Sequence, residues 1–187
     1  MAFRMWRKAI LLSLREKKVF TIFTIIYTIL IFLTSLFWDL ALDGEMGASA
    51  NYFLAIFFGT SLILSLLYAW ILVSRKRRVW ATFKCIGYTN KNIMVLISGM
   101  ILFTTIIGFI IVIEVLFHYT AAITYLKSAN FLSGISAISD MPEILIGLIP
   151  VIITSTLFIV VQLIAFTLAY RKVLKVRPII ALKKVGE

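Results

Sequence analysis

The chain is poor in the residues that carry out chemistry. Its 187 residues include one histidine, one cysteine and eight carboxylates. A lone cysteine, Cys85, cannot close an intrachain disulfide. The sequence has no H-E-x-x-H pair, no second cysteine to hold zinc and no G-x-S-x-G elbow to present a nucleophilic serine. It also lacks the G-x-x-x-x-G-K-[ST] loop that cradles nucleotide phosphates. No catalytic residue, metal ligand or cofactor-binding residue is assigned, and the chain is not expected to be an enzyme. Proline is scarce as well, with three residues, so little interrupts the apolar runs.

Those runs dominate what is present. Hydrophobic residues make up 62% of the chain and the mean hydropathy is +1.06, values that exclude an ordinary soluble domain. Four stretches are long enough to cross a bilayer: residues 19–38, 52–74, 90–117 and 144–170. About 20 residues of helix span roughly 30 Å, the thickness of the hydrocarbon. The predicted fold is an all-α polytopic membrane protein, a single membrane domain over 1–187. Its four transmembrane helices are joined by an N-terminal amphipathic helix and a short cytoplasmic helix.

The positive charge is distributed unevenly. Of 19 Lys and Arg residues, six lie before the first run, six from Arg75 to Lys91 between the second run and the first turn of the third, and six after the fourth, leaving only Lys127. Cytoplasmic loops keep such an excess, so both termini and the middle loop are expected in the cytoplasm of a cell-membrane protein. The net charge of +11 is then accounted for by anionic inner-leaflet lipid and a cytosolic partner, and nucleic acid is not an expected partner.

Residues 1–18 read as an amphipathic helix in the interface plane, with Phe3, Trp6, Ile10 and Leu14 on one face. The outer loop 39–51 carries Asp39, Asp43 and Glu45. Its Ala48-Ser49-Ala50 imitates a signal-peptidase site, but the preceding apolar run has the length of a span. In the second span, Ala55/Gly59 and Ser61/Ser65 have the small-xxx-small spacing of close helix packing, or are ordinary small residues facing lipid. Residues 75–89 read as a helix to Ile86, a stop at Gly87 and an N-cap at Thr89. Val79, Phe83 and Ile86 are expected to form its apolar strip, with Arg77, Trp80 and Lys84 opposite. Trp80 is read either as a partner contact or as a headgroup anchor.

The third span is longer than the hydrocarbon requires, so tilt or projection is expected. Residues 118–143 form an outer segment with a short helix near Ala121–Leu132. Glu114 and His118 are four residues apart on one helix face. They suit a proton relay or cation site, or an interfacial carboxylate with local hydrogen bonds. Gln162, in the inner half of the fourth span, suits an interhelical hydrogen bond or a substrate contact.

Three segments together resemble the FtsX-like permease family, the membrane subunits of type VII ABC transporters. One is the basic helix from Trp6-Arg7-Lys8-Ala9 to Arg15-Glu16-Lys17-Lys18. Another runs from Arg77-Arg78-Val79-Trp80 through Phe83-Lys84-Cys85-Ile86-Gly87-Tyr88-Thr89. It resembles the family's K-A-L-G-A-[ST] coupling segment between the second and third spans. The third is Arg177-Pro178-Ile179-Ile180-Ala181-Leu182-Lys183, similar to a closing P-x-x-A-L-[RK] run. The chain departs from the family in having about 13 residues between the first two spans, where most members carry a sizeable extracytoplasmic domain.

The resemblance implies a permease subunit that pairs with a second permease subunit, identical or not, and with separate ABC-type ATPase subunits that hold the ATP. It implies that Arg77, Arg78, Trp80, Lys84 and Gly87 form the coupling segment an ATPase engages. The cargo would be a lipid, peptide or hydrophobic compound, or the output mechanical force. The short outer loop favours a substrate taken from within the bilayer. Competing readings are a non-transporting adaptor or scaffold, and a small ion- or proton-linked carrier using Glu114, His118 and Gln162.

Overall fold

A computed structural model describes residues 2–42, 48–75, 77–128 and 142–174. Among them the secondary structure is helical, with no strand. Six helices follow in order: α1 (Ala2–Arg15), α2 (Lys17–Leu42), α3 (Ala48–Arg75), α4 (Arg77–Cys85), α5 (Asn90–Ser128) and α6 (Leu148–Leu174). Four of them, α2, α3, α5 and α6, contain segments long and apolar enough to cross a membrane. They pack as a rhombus, with α2 and α6 across the short diagonal and α3 and α5 across the long one.

The outward faces remain apolar. Ile22, Ile25 and Ile29 on α2, Ile56 and Ile63 on α3 and Ile164 on α6 are all exposed. Contiguous apolar surface on this scale marks contact with lipid or protein. The interior mixes Ile31, Ile97, Met100 and Phe158 with buried hydroxyls, and Phe23 stacks on Tyr68 with ring centroids 4.1 Å apart. Small and hydroxyl side chains let helices approach where lipid offers no hydrophobic drive.

Two of the helix boundaries that differ from the sequence reading have a local cause. The helix α5 does not end near residue 117 with a separate helix beyond it. It runs unbroken through Ser128, because residues 118–128 contain no Gly or Pro to stop it. Its 39 residues make about 58 Å of helix. The helix α6 begins at Leu148 rather than 144, which places Pro150 in the first turn, where its missing N–H is tolerated. Asp39 Oδ2, at the end of α2, accepts the Gly147 N–H at 3.1 Å just before that start.

The amphipathic N-terminal helix is present as α1 and packs along α5. Ala9 and Ser13 are buried in this contact, whereas Leu14 is exposed. Gly99 makes the approach possible: a Cβ there would sit 2.9 Å from Ala9 Cβ. The chain turns at Glu16, whose N–H reaches Ser13 O at 3.1 Å, and enters α2.

Candidate functional site

At the basic end of the bundle, α4 links α3 to α5. Trp80 reaches back to the last turn of α3: its Nε1–H donates to Leu72 O over 3.3 Å, and the residue is 2% exposed. Ala81 is fully buried beside it, while Val79 and Ile86 face outward. This corrects the expected faces. The strip of Val79 and Ile86 with half-buried Phe83 faces outward, and Trp80 is turned into the protein rather than toward a partner or a lipid headgroup. An indole combines large apolar volume with one N–H, which suits it to a site that needs both. Lys84 is half-buried on the last turn of α4. The side chains of Arg77 and Arg78 lie outside the described residues.

Gly87 ends the α4 segment at φ +94°, a left-handed conformation that favours glycine. Around it Gly87 N–H reaches Lys84 O at 3.1 Å and Tyr88 N–H reaches Phe83 O at 2.9 Å. These two bonds form a Schellman motif. The accompanying apolar contact is also present, with the Phe83 and Tyr88 rings 5.1 Å apart. Two residues on, Thr89 Oγ1 accepts the Asn92 N–H at 3.3 Å and caps α5. The helix α1 closes over this joint, Lys8 Nζ donating to the Tyr88 hydroxyl at 2.6 Å. A helix fastened to α3 at one end thus passes through a fixed turn into α5.

Inside the bundle, polar pairs cross between helices. Tyr27 and Ser65 hydroxyls are 3.1 Å apart, Tyr68 and Thr104 2.9 Å, and Ser35 and Thr154 2.6 Å. Thr105 Oγ1 donates to Gln162 Oε1 at 2.5 Å. Gln162 therefore makes an interhelical bond from a 1% exposed position, and its Nε2 has no hydrogen-bond partner. Ser61 Oγ and Thr24 Oγ1 are buried without partners as well. The sequence reading singled out Gln162 and Ser65 but missed Tyr27, Tyr68, Thr104 and Thr105. The available signal was a tyrosine within each of two apolar spans.

The remaining candidates separate. Glu114 and His118 are exposed at 68% and 69%, with His118 Nδ1 3.6 Å from Glu114 Oε1. Glu114 lies nine residues beyond Thr105 along α5, about 13 Å of helix, so the pair does not join Gln162 in one site. Ala55 and Gly59 face outward, and nothing lies within 4 Å of a Cβ built on Gly59. Ser61 and Ser65 face inward. Among the described residues no cluster of His, Cys, Asp or Glu could hold a metal ion. The tail segment Arg177 to Lys183 lies outside the described residues.

A family model described as FtsX-like permease C-terminal matches residues 51–178, the stretch from the start of α3 through α6 into the tail. No match was found among curated proteins or among solved structures.

Proposed function

Because this chain belongs to the FtsX-like permease family, we propose that it is the membrane subunit of an ABC transporter, driven by a separate ATPase that docks on α4. The observation that carries this reading is the joint at α4. Trp80 ties the helix to the end of α3, and the Schellman turn at Gly87 with the Thr89 cap ties it to α5. A load on α4 therefore reaches two spans together as a rigid-body displacement, one of the common forms of switching.

Among the described residues, the surface α4 and its turn present to the ATPase includes Val79, Thr82, Cys85 and Ile86, which are exposed, and half-buried Lys84. Trp80 positions the helix from within. Two permease subunits would flank the translocation path, with Ala55 and Gly59 on the outward face of α3 as one contact between them. The basic end faces the cytoplasm in this reading, in accord with the placement of Lys and Arg. With few residues between α2 and α3, cargo drawn from the bilayer fits better than a soluble one.

The test is purification of the full chain in mild detergent with its ATPase. Wild type should retain the ATPase, and Lys84→Glu should release it while membrane insertion is unchanged. Equal retention by both would remove α4 as the docking element.

A further inference from the structure

An apolar slot opens beside α4 at the basic end. It has a volume of about 220 Å³ and is lined by Leu11 and Leu12 of α1, Phe83 of α4 and Leu96 of α5, with Lys8 and Tyr88 completing the wall. Lys8 Nζ donates to the Tyr88 hydroxyl at 2.6 Å and sits 5.3 Å from the ring centroid. An ammonium has three donors and the hydroxyl keeps its own O–H, so two groups remain able to meet one anion. Leu11 is 58% exposed and Leu14 44%, so the α1 face next to the slot is apolar. The polar groups and the greasy walls together describe an amphiphile with a negative head.

We propose that this slot is a binding site for an anionic phospholipid, its phosphate held by Lys8 and Tyr88 and an acyl chain seated among Leu11, Leu12, Phe83 and Leu96. Charge decides the occupant. Arg4, Arg7, Lys8 and Arg15 of α1 are all exposed, which favours a negative headgroup and disfavours a zwitterionic one. Charge-assisted hydrogen bonds of this kind are roughly twice as strong as neutral ones. The bound lipid would bridge α1 to the α4–α5 turn, holding the joint closed. The proposal rests on the membrane setting and the slot, and is independent of the docking of an ATPase.

The test uses the full chain, delipidated in mild detergent and titrated with phosphatidylglycerol or phosphatidylcholine, with bound lipid read by native mass spectrometry. Wild type is expected to prefer phosphatidylglycerol by roughly tenfold, because phosphatidylcholine offers the same phosphate to Lys8 and Tyr88 but adds a choline cation that Arg4, Arg7 and Lys8 repel. Lys8→Met should weaken binding of both lipids, since it removes the charged donor to their shared phosphate, and should narrow the preference by removing one of the cations that repel choline; Tyr88→Phe, which keeps the ring, should weaken both lipids by less. Lys127→Met, at the other end of α5 beside Glu143, should leave the preference as in wild type. Equal binding of both lipids by wild type, or an undiminished preference in Lys8→Met, would overturn the proposal. A preference that emerges only after removal of residues 175–187 would mean that the tail fills the slot, and would overturn it too.

Discussion

Trp80 on α4 and Leu72 on α3 are joined by an indole N–H donated to a backbone carbonyl oxygen over 3.3 Å. The bond reaches the last turn of α3 and ties α4 to it. Trp80→Ala removes a buried ring as well as the bond, and should cost on the order of 3 kcal/mol. Trp80→Phe keeps most of the volume and should cost about 1 kcal/mol for the lost bond. Denaturant titration of the purified chain orders the two. In the complex, Trp80→Ala should retain ATPase binding in part but lose coupled stimulation, since the helix is present but loosely held.

Gly87 gives a sharper test of the joint. Any side chain there must adopt φ near +94°, and an Ala substitution should cost on the order of 1 kcal/mol. Space is not the obstacle, because nothing lies within 4 Å of a built Cβ. Gly87→Asn, whose side chain tolerates the left-handed region, should recover much of what Gly87→Val loses. Coupled ATPase rates of the three proteins, measured at matched expression, check this order.

Gly99 tests whether α1 belongs to the bundle. Gly99→Val places its Cβ 2.9 Å from Ala9 Cβ, closer than carbons pack, and should push α1 away from α5. Protease cleavage between α1 and α2, near Glu16, should accelerate several-fold in this variant. Unchanged cleavage would mean that α1 does not depend on the Gly99 contact.

The polar pair within the bundle makes a quantitative prediction. Thr105→Val and Gln162→Leu each break the same interhelical bond, so the double variant should be less destabilised than the sum of the singles. The coupling should be about 0.6 kcal/mol and no more than about 1.7 kcal/mol, the range found for such bonds in membrane proteins. Gln162→Leu alone should cost little, because it also removes a buried amide nitrogen that has no partner.

The parts legible in the sequence were those set by local rules. Run length gave four helices able to cross a membrane, and the Gly87 and Thr89 signals marked the turn that the structure builds between α4 and α5. What escaped was set by neighbours. Periodicity within residues 75–86 placed Trp80 opposite Phe83, but the indole packs inward and bonds a carbonyl on another helix, Leu72 O. The continuation of α5 was hidden because the polar positions His118, Tyr119 and Thr120 resemble a break between two helices, although residues 118–128 contain no Gly or Pro. Tyr27 and Tyr68 passed as ordinary aromatics in apolar runs, since their partners Ser65 and Thr104 are 38 and 36 residues away.

The central claim is that the outward side of α4 meets an ATPase. Cys85 is the only cysteine, is exposed and lies on the last turn of that helix, so the native chain can carry a photocrosslinker there without any substitution. Illumination of native membranes that contain the ATPase should yield a single permease–ATPase adduct, lost in Lys84→Glu. Adducts to lipid alone, or labelling of Cys85 by an impermeant thiol reagent added from outside the cell, would contradict the account.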